Sequence, residues 1–146
     1  MKSDSFSALG AMDDICFPLY AASREIVKRY TSYLSRIGLT YTQYIVMILL
    51  LETGTMTSKE IGERLFLDSG TLTPLLKKLE EKGFLQRRRY KVDERNLEIV
   101  ITENGKSLRE QIADIPSSVT KELSVSEEDS AALSRILNGI LTFAKS

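Results

Sequence analysis

The stretch from Phe66 to Thr102, FLDSGTLTPLLKKLEEKGFLQRRRYKVDERNLEIVIT, most narrowly limits what this chain can fold into. A short polar start, Asp68-Ser69-Gly70-Thr71, opens onto Leu72, Leu75, Leu76 and Leu79, the spacing of one apolar helical face. This predicts a helix from about Ser69 to Lys82. Pro74 lies near enough to its start that the missing N–H costs little. Gly83 is a natural stop. Two short runs follow, Leu85–Tyr90 and Leu97–Thr102, joined by a polar tip from Lys91 to Asn96. Leu97, Ile99 and Ile101 alternate with Glu98 and Val100, so one face of this ribbon is expected to be buried. A helix followed by a basic hairpin is the order of parts in a winged helix-turn-helix. There the helix enters a DNA major groove and the ribbon reaches the backbone and minor groove.

Upstream, Ile15, Leu19, Ala22, Ile26, Tyr30 and Tyr33 recur at three- and four-residue steps. They predict a long helix from Asp13 to about Ile37, ended by Gly38. Residues 1–12 read as a loose arm. Thr42 to Glu52 is apolar on nearly all sides, a central core helix stopped at Thr53-Gly54. Thr57-Ser58-Lys59-Glu60 is a capping box that starts a short helix to about Leu67, with Ile61 and Leu65 inward. After the hairpin, a helix from Gly105 to about Leu123 is expected to break or bend near Pro116. Ser126 caps a last helix, striped by Leu133, Ile136, Leu137, Ile140 and Leu141.

The expected fold class is therefore mainly α with a small β-hairpin wing. One domain covers residues 1–146. Its winged helix-turn-helix core lies at about 42–102, and dimerisation helices lie at about 13–37 and 105–146. The small core cannot cover every apolar face of the terminal helices. A symmetric homodimer with interleaved terminal helices is the economical solution, and packing back on the same chain is the other.

The formal net charge is zero, but its distribution is uneven. Between Lys77 and Arg95 there are eight basic and four acidic residues, a net of +4, which the rest of the chain balances. One basic segment on an uncharged protein fits a local phosphate-binding surface, or, more blandly, a solvated helix and hairpin. The chain has one cysteine and no histidine. That composition excludes an internal disulfide, a multi-cysteine zinc site and histidine-based metal sites or triads. No cofactor, metal or enzymatic activity is implied. The longest apolar run, Ile45 to Leu51, is too short to span a bilayer. Residues 1–14 lack the pattern of a signal peptide, so the expected compartment is the cytoplasm, with no membrane partner.

Candidate DNA-binding residues follow from the expected helix and wing. Ser69, Thr71 and Thr73 are short hydroxyls at the start of the reading helix, suited to bases and phosphates. Gly70 permits close backbone approach, and the helix N-terminus itself attracts phosphate. Lys77, with Lys78 beside it, adds backbone contacts, as does Arg87 in the run Arg87-Arg88-Arg89. Arg95 at the wing tip suits the minor groove, with Asp93 to orient its guanidinium. A purely structural reading makes Ser69 and Thr71 helix caps and Asp93 a turn residue, but it leaves the arginine run and the Asp93-Glu94-Arg95 tip unexplained.

Leu67–Gly83 (LDSGTLTPLLKKLEEKG) followed by Asp93–Gly105 (DERNLEIVITENG) resembles the MarR family of winged-helix repressors. With Ile15–Tyr30 (ICFPLYAASREIVKRY) and Leu39–Tyr44 (LTYTQY), nearly the whole chain is similar to its organic-hydroperoxide sensor branch, the OhrR-type regulators. That resemblance implies double-stranded DNA as partner, at a pseudo-palindromic operator. It also implies a peroxide-reactive Cys16 held by hydroxyls corresponding to Tyr30 and Tyr41. Along one straight helix Cys16 and Tyr30 would lie roughly 21 Å apart, so a meeting requires Tyr30 of a second subunit. Tyrosine hydroxyls and a helix N-terminus favour a thiolate; Asp13 and Asp14 oppose it. Part of the branch resolves the oxidised thiol with a second cysteine, and this chain has none. Its sulfenate must meet a low-molecular-weight thiol, close on a backbone nitrogen, or over-oxidise. The apolar neighbours Phe17, Leu19 and Tyr20 suit an organic hydroperoxide.

Three other readings stay open at this stage: a MarR-type regulator released by a small ligand with Cys16 incidental, a single-cysteine peroxidase, and a winged helix that binds protein. The residues together favour a DNA-binding repressor released when Cys16 is oxidised.

Overall fold

The computed structural model describes residues 15–89 and 96–145, which divide into two compact units between Asp114 and Ile115. Helix α1 (Cys16–Leu34) has Ile15 at its N-cap. Asp13 and Asp14, where the sequence suggested its start, lie outside the described residues. The last turn tightens into a 3-10 segment, Ser35–Ile37, and Gly38 at φ 72° turns the chain with a Leu39 N–H to Leu34 carbonyl bond. Only a residue tolerant of positive φ stops a helix this way.

Helix α2 (Tyr41–Thr53) starts at a complete capping box: the Thr40 hydroxyl accepts from the Gln43 N–H, and the Gln43 amide accepts from the Thr40 N–H. Its buried residues Tyr44, Val46, Met47, Leu49 and Leu50 make it the centre of the first unit. The capping box expected at Thr57 is present too. Thr57 and Glu60 exchange 3.1 Å bonds at the start of α3 (Ser58–Leu65). Phe66, at φ 55°, closes α3, and α4 (Ser69–Glu81) follows after a short turn. Leu72, Leu75, Leu76 and Leu79 of α4 are buried as their spacing requires. Burying a leucine fully contributes roughly 1.5–3 kcal/mol, so this stripe fixes which face of α4 turns outward. Gly83 at φ 81° ends the helix with Phe84 N–H bonded to the Leu79 carbonyl.

The hairpin strands β2 (Leu85–Arg89) and β3 (Leu97–Ile101) pair antiparallel, with Arg87 opposite Ile99. The sequence reading missed a third strand, β1 (Thr55–Thr57), which pairs with β3 and puts Met56 opposite Ile99. Three residues carry no readable alternation; the strand exists because β3 offers it an edge. Ile99 is fully buried between the two.

The single helix expected from Gly105 to Leu123 is divided. Thr102 caps a short α5 (Glu103–Lys106), and α6 (Leu108–Ile112) completes the first unit. Pro116 stands in the first turn of α7 (Ile115–Leu123), where proline is tolerated, so the break precedes it. Gly105 has a packing reason: a Cβ there would lie 2.1 Å from the Phe84 carbonyl oxygen.

In the second unit, Ser126 caps α8 (Glu127–Ala144) by accepting from the Asp129 N–H. Leu133, Ile136, Ile140 and Leu141 of α8 are all exposed. Among the described residues, no single helix is long and apolar enough to cross a membrane. None of their His, Cys, Asp or Glu side chains gather into a metal-holding group.

Candidate nucleic-acid interface and thiol site

Helix α4 turns its polar residues outward because its leucines face in. Asp68 caps the helix, its carboxylate accepting the Thr71 N–H at 2.8 Å. Ser69 and Thr71 are therefore not the caps, and both side chains are exposed. Gly70, Thr73 and Lys77 are exposed as well, and Ser69, Thr73 and Lys77 repeat at four-residue steps along one face. The N–H groups of the first turn that the cap does not take point out of the helix end. Hydroxyls, an ammonium and a helix N-terminus thus share one surface, the chemistry that binds phosphate and base edges.

Arg87 is placed differently from a simple phosphate contact. Its Nε donates to Glu80 Oε1 at 3.0 Å, and its backbone N–H donates to Glu80 Oε2 at 2.8 Å. The carboxyl of Glu80 is held below its usual pKa chiefly by that backbone N–H, against the opposing effect of burial, with the Arg87 side chain adding a smaller lowering. Arg87 therefore ties the wing to the reading helix. Arg88 and Arg89, beside it on β2, are the exposed cations. The other side of the wing is tied by Asn96, which the sequence reading treated only as tip. Its side-chain oxygen accepts from Ser58 Oγ and the Lys59 N–H at 3.5 and 3.4 Å, and Ser58 Oγ in turn accepts from the Leu97 N–H. Long-range side-chain pairing of this kind leaves no sequence signal. Asp93 and Arg95 lie outside the described residues.

The second candidate site gathers at the corner between α1 and α2. Tyr30 and Tyr41 meet edge to face with ring centroids 5.1 Å apart. Tyr44, one turn along α2, completes the cluster at 5.5 Å from Tyr30 and 5.9 Å from Tyr41. The sequence reading did not nominate Tyr44, although its position one turn from Tyr41 on the same helix face was a usable signal. Burial raises the phenol pKa of all three, and that of Tyr44 is pushed up to about 12, with the neighbouring hydroxyls adding to the effect. All three are neutral donors at physiological pH.

Cys16 is exposed and is the first residue of α1. Tyr20 follows one turn later, and Arg24 lies over its ring at 5.6 Å. Cys16 and Tyr30 belong to the same helix, fourteen positions apart. At 1.5 Å per residue they are about 21 Å from one another and do not meet within one chain.

Residues 28–112 match the family described as transcriptional regulator SarA/Rot. The chain belongs to the SarA/Rot family of transcriptional regulators. It is 47% identical to the HTH-type transcriptional regulator SarZ of Staphylococcus epidermidis over 128 residues, which cover 88% of this chain and 86% of SarZ. Among solved structures, reduced AbfR bound to DNA is 32% identical with a TM-score of 0.76, each chain covered over its full length. AbfR is also a Staphylococcus epidermidis protein. Overoxidised AbfR bound to DNA gives 31% and 0.75, with 99% of each chain covered. Disulfide-formed AbfR gives 30% and 0.62, covering 99% of this chain and 97% of that one. Reduced MarR of E. coli, 23% identical with a TM-score of 0.72 over 88% of this chain and 97% of its own, shares the fold. The MarR-like winged helix is thus shown, and the regulator is a DNA-binding one of the SarZ and AbfR type.

Proposed function

We propose that this SarA/Rot-family regulator is a homodimeric, cytoplasmic repressor that leaves a pseudo-palindromic operator when an organic hydroperoxide oxidises Cys16. The observation that carries the reading is the convergence of Tyr30, Tyr41 and Tyr44 on one corner while the chain's sole cysteine stands at the far end of the same helix. A second copy arranged antiparallel along α1 brings Cys16 of one subunit to the tyrosines of the other. The exposed stripe Leu133, Ile136, Ile140 and Leu141 supports such a partner, since apolar surface of this extent is normally covered.

In the reduced dimer, neutral tyrosine hydroxyls donate hydrogen bonds to the Cys16 thiolate and hold it ready for attack. Cys16 sulfur takes the distal peroxide oxygen, the O–O bond breaks, and the alcohol leaves with a proton. The resulting sulfenic acid condenses with a low-molecular-weight thiol, forming a mixed disulfide and releasing water. Over-oxidation is a weaker candidate for release, because AbfR in its overoxidised form is itself bound to DNA.

On DNA, Ser69, Gly70, Thr71, Thr73 and Lys77 of α4 read the major groove, and Arg88, Arg89, Arg95 and Asp93 serve the wing. Arg87 holds the wing in place. The test is DNA binding by wild type and Cys16→Ser, each with and without cumene hydroperoxide and free cysteine. A Ser variant that dissociates like wild type removes Cys16 from the switch and favours release by a small ligand.

A further inference from the structure

Among the described residues, Gln43 is the polar side chain that the core encloses most fully, 4% exposed. Its oxygen accepts two bonds: from the Thr40 N–H at 3.1 Å, and from Lys82 Nζ at 3.2 Å. The same ammonium donates to the Gly38 carbonyl oxygen. Lys82 is the C-cap of the reading helix α4. Gly38 ends the α1 side of the corner, and Gln43 belongs to the first turn of α2. One cation at the end of the reading helix therefore grips both sides of the α1–α2 corner.

That corner is also where the tyrosines divide. Tyr30 rides on α1, and Tyr41 and Tyr44 ride on α2. A hinge at the corner that parts Tyr30 from Tyr41 by shifting the end of α1 against the start of α2 also changes the distance between the two Lys82 acceptors. A lysine that keeps one acceptor must leave the other. Gln43 then loses a charged donor, and the end of α4, where Lys82 is exposed, loses one of its two ties.

We infer that Lys82, through Gln43 and the Gly38 carbonyl, positions α4 according to the state of the tyrosine cluster, and so couples the thiol site to DNA reading. This rests on the thiol-switch reading above. Lys82 is a positioning residue: it neither touches Cys16 nor is required for its chemistry. The packed face of α4, Leu72 to Leu79, supplies the rigid body that carries a movement at its C-terminus to Ser69 and Thr73 at the other end.

The test uses the full-length protein and a duplex selected from random sequence by the reduced wild type. Affinity is measured before and after treatment with cumene hydroperoxide and free cysteine, and Cys16 modification is followed by mass spectrometry. Lys82→Met keeps the side-chain stem and removes the ammonium. The expected result is that its reduced form binds DNA within about two-fold of wild type and Cys16 is modified at the same rate, while the oxidation-linked loss of affinity shrinks by about five-fold or more. Lys82→Arg is expected to restore most of that loss. Lys82→Gln is the second variant should the Met form melt early. An unchanged oxidation response in Lys82→Met overturns the coupling and leaves the thiol reading standing. A reduced Lys82→Met that binds DNA more weakly with a salt dependence lowered by about one phosphate contact also overturns it, by making the lysine a DNA contact. A wild type that stays bound with Cys16 fully modified overturns the thiol reading, and the coupling with it.

Discussion

Glu80 on the reading helix receives both the backbone N–H and the Nε–H of Arg87 on the wing, at 2.8 and 3.0 Å. Arg87, a candidate DNA contact in the sequence, is also the brace that sets wing against helix. Glu80→Ala is expected to cost about 1 kcal/mol of stability, because the pair is partly solvated, as charge-assisted bonds near a surface are. DNA affinity should fall further than stability, since a loosened wing must be ordered again on binding. The sign with pH follows from the lowered carboxyl. The contribution is present above the ordinary carboxylate value of 4.5 and fades as pH falls through the lower folded one. Urea titrations of wild type and variant at neutral and acid pH check this; equal stability at both would remove the brace.

Lys77 tests the reading face. It is exposed, on the stripe that Ser69 and Thr73 share, and far from the leucine core. Lys77→Ala is expected to weaken binding about equally across DNA sequences and to lower the salt dependence by about one phosphate contact. Fluorescence anisotropy over a salt series reads the slope. A change confined to one sequence would make Lys77 a base reader instead.

Gly105 tests the packing of the wing base. A Cβ at this position would lie 2.7 Å from Ile101 Cγ1 as well as against the Phe84 carbonyl, and the carbonyl belongs to backbone that cannot rotate away. Gly105→Ala is expected to destabilise the fold by at least about 2 kcal/mol through overpacking. Chemical denaturation of the variant supplies the number, and a stability within error of wild type would show that the close approach is relieved.

The tyrosine cluster makes a prediction at the alkaline end. The folded protein holds these phenols above their ordinary value of 10, with Tyr44 at about 12. Stability that depends on keeping them neutral is complete below pH 10 and lost as pH rises towards 12. Tyr44→Phe should flatten that loss. A spectrophotometric titration in which all the tyrosines ionise together near their ordinary value would contradict the buried cluster.

The parts of the fold that were legible in the sequence are those written in local chemistry. Thr57 and Glu60, Gly38 and Gly83, and the leucines of α4 each announce a start, a stop or a face through residues close in the chain. Strand β1 was not legible, because Thr55, Met56 and Thr57 become a strand only when β3 lies beside them. Asp68 rather than Ser69 capping α4 turns on a single residue's backbone angle, which both sequences of events would fit. Glu80–Arg87, Ser58–Asn96 and Gln43–Lys82 join residues that only the tertiary fold brings together. The resemblance named Tyr30 and Tyr41 only as partners of Cys16; their contact with each other and with Tyr44 comes from the fold.

Cys16→Ser separates the thiol chemistry from the rest of the molecule. Cys16→Ser is nearly isosteric and forms no sulfenate, so it removes the redox chemistry and little else. DNA affinity is measured for wild type and variant, reduced and after cumene hydroperoxide with free cysteine. Expected are equal affinity when reduced, a loss of about ten-fold or more in oxidised wild type that a reductant reverses, and no loss in the Ser variant. Release of Cys16→Ser from DNA by hydroperoxide to the same extent as wild type would contradict the thiol switch.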